Sequence, residues 1–186
     1  IIINIIMNEC QITLESGGHQ VTIPYSVAIQ SITIREMIND LGIDQQNNSQ
    51  NNIIPIPCSI IDGTILNSLA ICMKCLRDNK HIINQQYEDN SSQQYEDNSN
   101  QQNENNSNQV NEENFKVDVA LINQNKDKDL LYKLIIELDA KTIMLLLGAA
   151  DYLNIPILTQ YCGYIISSKY LSKKTVNQIK TSFNIK

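Results

Sequence analysis

Two cysteines three residues apart, Cys72-Met-Lys-Cys75, have the spacing in this chain closest to a chemical site. That spacing serves either a dithiol redox centre or half of a zinc site. A zinc site needs a second pair of thiolates or imidazoles, and the remaining candidates (Cys10, Cys58, Cys162, His19, His81) are scattered. A redox dithiol sits at a helix N-terminus, where the helix dipole stabilises the thiolate. This pair falls near the C-terminal end of an apolar-periodic segment, so both are read as ordinary helix residues, one of them buried. His19 follows two glycines in a turn and His81 opens a polar tract, and both read as solvated. Neither stands in a nucleophile pattern with Ser or Cys. The chain contains no glycine-rich phosphate loop, HExxH sequence or paired-carboxylate arrangement. Asp127 and Asp129 alternate with lysines in a segment that reads as a solvated loop. These residues give no support for an enzyme, a cofactor or a metal site.

The elements that position these residues belong to a chain of 186 residues, 42% hydrophobic, without Trp and with only 5% aromatics. That length suits one domain with an appendage, and the core must be aliphatic, chiefly Ile and Leu. Net charge is −6, from 14 basic and 20 acidic residues. Seven of the acids (Glu88, Asp89, Glu96, Asp97, Glu104, Glu112, Glu113) lie between Asn84 and Asn114, where there is no base. Removing them leaves 13 acids against 14 bases, a nearly neutral remainder with no basic face for nucleic acid. Five cysteines in an otherwise ordinary composition fit a reduced compartment, not a disulfide framework. The opening Ile1-Ile-Ile-Asn-Ile-Ile-Met7 lacks the basic flank and cleavage site of a signal peptide. It is also too short to span a membrane, as is the run at 143–150. A strand or a disordered start is expected there. With Ile in first place, part of the natural N-terminus is expected to be missing.

Apolar alternation at Ile12 and Leu14, then at Val21 and Ile23, predicts two strands over 10–15 and 20–23. Ser16-Gly-Gly-His19 between them predicts a hairpin half buried on one face. Thr33 and Glu36 have capping-box spacing; Met37, Ile38 and Leu41 follow at helical spacing, with Gly42 as the C-terminal stop. Two prolines in Ile53-Ile-Pro-Ile-Pro57 predict an edge strand or an extended segment. Ser59-Ile-Ile-Asp62 resembles a second capping box, before a helix whose Ile65, Leu69, Cys72 or Met73, and Leu76 share a face. An eight-residue repeat begins at Gln85, recurs at Gln93 and degenerates from Gln101. It offers no apolar face to stack, and predicts a disordered surface insertion. Its repeated Tyr-Glu-Asp reads as repeat expansion in preference to a phosphotyrosine motif. Asp139 is the expected N-cap of a helix through Leu153, apolar all round at 143–147 and therefore central. Asn154-Ile-Pro156 interrupts it. Ile157, Leu158, Tyr161, Cys162, Ile165 and Ile166 mark another helix, and a last one is expected from about Lys173 to Phe183, with Ser172 as N-cap.

Three segments carry a family resemblance: Ser31-Ile-Thr-Ile-Arg-Glu-Met-Ile-Asn-Asp-Leu-Gly42, Gly148-Ala-Ala-Asp-Tyr-Leu-Asn-Ile155 and Ile179-Lys-Thr-Ser-Phe-Asn-Ile-Lys186. Their order and approximate spacing resemble Skp1, the adaptor subunit of cullin-based ubiquitin ligases, over roughly 12–80 and 130–186. The resemblance implies an α+β fold of BTB/POZ type, with a small sheet and hairpin packed on a helical cluster, followed by C-terminal helices. It divides the chain into a domain at 10–80 and 115–166, the insertion at 81–114, and at 167–186 the start of a dimerisation and F-box-binding helical region. It implies a cytoplasmic or nuclear adaptor without catalytic activity that joins the N-terminal domain of a cullin to an F-box protein. The implied cullin-facing residues are Asp151 and Tyr152. The implied F-box side comprises Ile143, Leu147, Leu158, Cys162, Ile165, Ile179, Phe183 and Ile185, positions that ordinary core packing explains equally well. Where the family more often has Asn before that Tyr, this chain has Asp151, and Leu131-Tyr132 stands in place of the usual Trp-Asp. Family members continue past the Phe-Asn-Ile-Lys motif into further helices. If Lys186 is the natural end, the F-box clamp is expected to be partial, which leaves open a competitor that occupies the cullin alone. A homodimeric BTB/POZ-type module is a further alternative, and neither nucleic acid nor membrane is an expected partner.

Because loop-closure entropy grows only logarithmically with length, deleting residues 85–108 should leave the urea unfolding midpoint nearly unchanged. A large loss would show that the repeat supports the fold.

Overall fold

A computed structural model describes residues 9–43, 52–78, 122 and 129–185; the expected insertion at 81–114 and the opening apolar run lie outside them. The described residues form a three-stranded sheet and seven α-helices, a mixed α/β arrangement as expected.

The sheet follows from the hairpin. Strand β1 (Gln11–Ser16) pairs antiparallel with β2 (His19–Pro24), Ile12 facing Ile23 and Ser16 facing His19. The two residues between them, Gly17 and Gly18, have φ of 56° and 79°. A two-residue hairpin turn needs positive φ at both positions, which glycine adopts without a Cβ penalty. Ile12, Leu14 and Ile23 are fully buried, so one face of the sheet meets the helices. On the outer face the Thr13 and Thr22 hydroxyls lie 3.1 Å apart, and Gln20 Nε2 donates to Glu15 Oε2 at 2.8 Å. Strand β3 (Ile53–Pro55) lies on the other side of β1 and parallel to it, at the sheet edge that its prolines require.

Between β2 and β3 come α1 (Tyr25–Ala28) and α2 (Ile32–Asp40). The cap of α2 is Ser31 and not the expected Thr33: Ser31 Oγ accepts from the Ile34 N–H at 3.0 Å, whereas the Thr33 hydroxyl turns to the Tyr152 carbonyl. Ile34 and Ile38 form its buried face, and Leu41, expected there, is 57% exposed. Gly42 closes the helix as expected, with φ 63°; its N–H reaches Asn39 O at 3.1 Å, and the Ile43 N–H reaches Ile38 O at 3.1 Å. That double bond pattern is a Schellman motif, which satisfies carbonyls left over at the helix end.

Helix α3 (Gly63–Asp78) buries Ile65, Leu66, Leu69, Ala70, Cys72, Met73 and Leu76, the expected face and slightly more. Its cap is Asp62 in place of the expected box at Ser59: Asp62 Oδ1 accepts from the N–H groups of Thr64 and Ile65, each at 2.9 Å. A carboxylate answers two orphan donors and the positive helix end together. Buried Ser16 Oγ donates to the Ile61 carbonyl at 2.7 Å, tying the hairpin to the turn ahead of α3.

Four helical segments complete the fold: α4 (Leu130–Ile136), α5 (Ala140–Tyr152), α6 (Pro156–Ile165) and α7 (Val176–Ser182). Helix α5 packs against both α3 and α6, the central place expected of it, although Met144 on its outer side is 46% exposed. Asn154, at φ 49°, breaks the chain before Pro156 restarts it. A π-helical turn at Ile166–Leu171 follows α6. It brings Lys169 Nζ onto the Ile136 carbonyl and Tyr170 OH onto Leu138 O at 3.1 Å, so the end of α4 holds it in place. The cap of α7 is Thr175, not Ser172, because Lys173 at φ 57° turns the chain before the helix starts; Gln178 completes a capping box.

Ser31 is fully buried, and its hydroxyl also donates to the Leu153 carbonyl at the end of α5. Ser31→Ala removes a cap and leaves buried groups without partners, so it should cost about 2–3 kcal/mol in urea unfolding. A loss of less than about 0.5 kcal/mol, the level of an ordinary surface change, would contradict this role.

Candidate protein-interaction site

Helix α5 is set at its start by Asp139, as expected. Its carboxylate accepts from the Thr142 N–H at 3.0 Å and the Thr142 hydroxyl at 2.7 Å. The last carbonyls of α5 have no partner within the helix, and the start of α2 supplies donors for them. The Thr33 hydroxyl reaches Tyr152 O at 3.4 Å, Ser31 Oγ reaches Leu153 O, and the Ile32 N–H reaches Asn154 O at 3.2 Å. The two segments that carry most of the resemblance therefore meet each other end to end.

The junction fixes the outer side of α5. Met144, Gly148 and Tyr152 are four residues apart and so share one side of the helix. A Cβ added at Gly148 would stand 2.9 Å from Ile60 Cδ1, so the Ile60 side chain lies directly on the helix where Gly148 leaves room. Met144 is 46%, Tyr152 40% and Ile60 39% exposed. Together they make an apolar strip with the exposed Asp151 carboxylate at its rim. Aromatic and Met side chains with a charge at the margin are the composition of a protein-binding surface, and an aromatic anchor is the usual energetic centre of one.

Of the residues implied by the resemblance, Asp151 and Tyr152 are on this surface. Ile143, Leu158, Cys162 and Ile165 are fully buried, in the core packing that also accounts for them. Leu147 is half-buried against the core. The remaining three gather around α7, where Ile179 and Phe183 are half-buried and Ile185 is 57% exposed. The Phe183 ring packs on Tyr170 with centroids 5.8 Å apart. Met144 and Ile60 were not among the expected site residues. Two four-residue steps back from Tyr152, through Gly148, point to Met144, but no sequence signal brings Ile60, from a turn before α3, onto Gly148.

Cys72 and Cys162 are buried in the core. Burial, with Cys75 as neighbour, pushes Cys72 up to about 12, and burial with Cys72 as neighbour does the same to Cys162. Both are fully protonated at neutral pH and poor nucleophiles. His19 is exposed beside Gly63. No group of three or more His, Cys, Asp or Glu side chains among the described residues is placed to hold a metal ion. No helix among them is long and apolar enough to cross a membrane. No protein-family model and no curated protein matches the chain.

The Thr142 hydroxyl and N–H hold the Asp139 carboxyl below its ordinary value of 3.8. A depressed carboxyl stabilises the fold fully above that ordinary value, and the contribution is lost as pH falls through the folded value. Asp139→Ala should therefore cost about 1 kcal/mol at neutral pH, with the gap from wild type closing only below about pH 4. A gap that persists unchanged under stronger acid would contradict a carboxylate origin.

Proposed function

We propose that this chain is a Skp1-like adaptor of BTB/POZ type, which links a cullin to F-box substrate receptors in a ubiquitin ligase through protein contacts alone. The observation that carries this reading is the direct bonding of the Ser31–Gly42 segment to the Gly148–Ile155 segment, two of the three stretches that resemble the family. Their meeting gives a physical reason for both to occur in one chain: each supplies the groups that the other lacks. It also leaves Asp151 and Tyr152 outermost on α5, beside Met144 and Ile60.

The strip on α5 serves the cullin and the surface around α7 serves the F-box protein. Neither surface does chemistry; the adaptor holds receptor and catalytic machinery together so that transfer becomes effectively intramolecular. Asp151 places a negative charge at the rim of the cullin-facing strip, where it steers binding if the cullin presents a Lys or Arg and costs affinity if it does not.

Capture of the purified chain on a cullin N-terminal domain and, separately, on an F-box domain tests both halves. Tyr152→Ala should weaken cullin binding by about thirtyfold, the loss of an anchor worth about 2 kcal/mol. Its circular dichroism and F-box binding should be unchanged. Cullin affinity equal to wild type would remove Asp151–Tyr152 as the site.

A further inference from the structure

The described residues after α6 differ in charge from the rest of the chain. From Ile166 to Ile185 they include Lys169, Lys173, Lys174 and Lys180 and no Asp or Glu, in a protein whose net charge is −6. Lys169 is committed to the carbonyls of Ile136 and Leu138. Among the described residues, Lys173, Lys174 and Lys180 meet no carboxylate; the ion pairs present there belong to Arg77.

The same segment carries apolar groups that the other described residues leave exposed. No residue of α7 is buried; Val176 is 69%, Ile185 57% and Leu171 43% exposed. Lys180 and Ile185, with Asn177, Thr181 and Asn184, line an open hollow on this helix. Helix α7 is one residue longer than the π-helical turn before it and is held to the body mainly through Phe183 on Tyr170. Seven helical residues are marginal alone, so a helix with Val176 and Ile185 exposed gains from a partner that completes it.

We propose that the outer face of α7 and the turn before it form a docking site for an acidic amphipathic protein segment. Apolar side chains of the partner meet Val176 and Ile185, its polar groups enter the hollow lined by Asn177, Lys180, Thr181 and Asn184, and its carboxylates face Lys173, Lys174 and Lys180. The inference deepens the adaptor reading by naming the chemistry of the F-box-side partner. Lysines that meet no carboxylate among the described residues steer an oppositely charged segment and reject a like-charged one, while the apolar groups supply the contact area.

Two synthetic helical peptides with the same apolar face, one with Asp and Glu elsewhere and the other with Lys, test the proposal by fluorescence anisotropy on the full chain. The acidic peptide should bind, with affinity falling as salt rises, and the basic one should not. Combined Lys173→Glu, Lys174→Glu and Lys180→Glu should weaken the acidic peptide at least tenfold while circular dichroism stays unchanged. Combined Gln substitutions, which add no new charge, should weaken it less. Equal binding of both peptides, binding of neither, or binding to phosphatidylserine-containing vesicles in place of the acidic peptide would overturn the proposal. If F-box domains are captured but the acidic peptide is not, the charge inference fails and the adaptor reading stands. The reverse result removes the adaptor reading and leaves the docking site.

Discussion

The first turn of α2 and the last turn of α5 complete each other around Ser31. A helix begins with N–H groups and ends with C=O groups that its own ladder cannot pair. In this chain the α2 start provides the Ile32 N–H and the Ser31 and Thr33 hydroxyls, while the α5 end provides the carbonyls of residues 152–154. The positive end of one helix dipole also faces the negative end of the other, which favours the junction further. Ser31 has a double role, because its buried oxygen accepts from the Ile34 N–H while its proton goes to Leu153. Neither alanine nor a larger side chain meets both demands in a site with no exposed surface.

Much else depends on where this junction puts α5. The helix passes between α3 and α6, and its Ile143, Leu146, Ala149 and Ala150 are fully buried among aliphatic neighbours. Small residues at 148–150 allow close approach on both sides: the alanines toward the core, and Gly148 under Ile60. The inner side of α5 thus fixes the fold, and the outer side is left with Met144, Asp151 and Tyr152. The exposed strip and the core are two sides of one helix. Disturbing the junction would therefore be expected to alter both stability and binding.

Features governed by local rules were legible in the sequence. Two glycines dictated the hairpin turn, Gly42 the end of α2, Asp139 the start of α5, and Asn154-Ile-Pro156 the break after it. Features decided at long range were not. Thr33 has the right spacing for a cap, but Ser31 wins because a carbonyl 122 residues away rewards its burial. Asp62 displaces Ser59 since a carboxylate can serve two N–H groups at once. The π-helical turn after α6 is set by the exposed carbonyls of Ile136 and Leu138, which attract Lys169 and Tyr170 across the fold. At the candidate site, Tyr152 was legible from its motif and Ile60 was not, because its place on Gly148 is a tertiary contact. Ile143, Leu158, Cys162 and Ile165, open in the sequence to either a partner role or core packing, are fully buried, since helical spacing alone does not tell an inward stripe from an outward one.

The central claim is that the strip formed by Ile60, Met144 and Tyr152 is the surface that receives a cullin. Methyl NMR tests it most directly, with labelled Ile δ1 and Met ε groups and a cullin N-terminal domain titrated into the full chain. Docking at the strip predicts that the Ile60 and Met144 signals shift or broaden in step with binding, while the more exposed Ile71 on α3 and Ile185 after α7 stay in place. Changes at Ile71 or Ile185 with Ile60 and Met144 unmoved would contradict it.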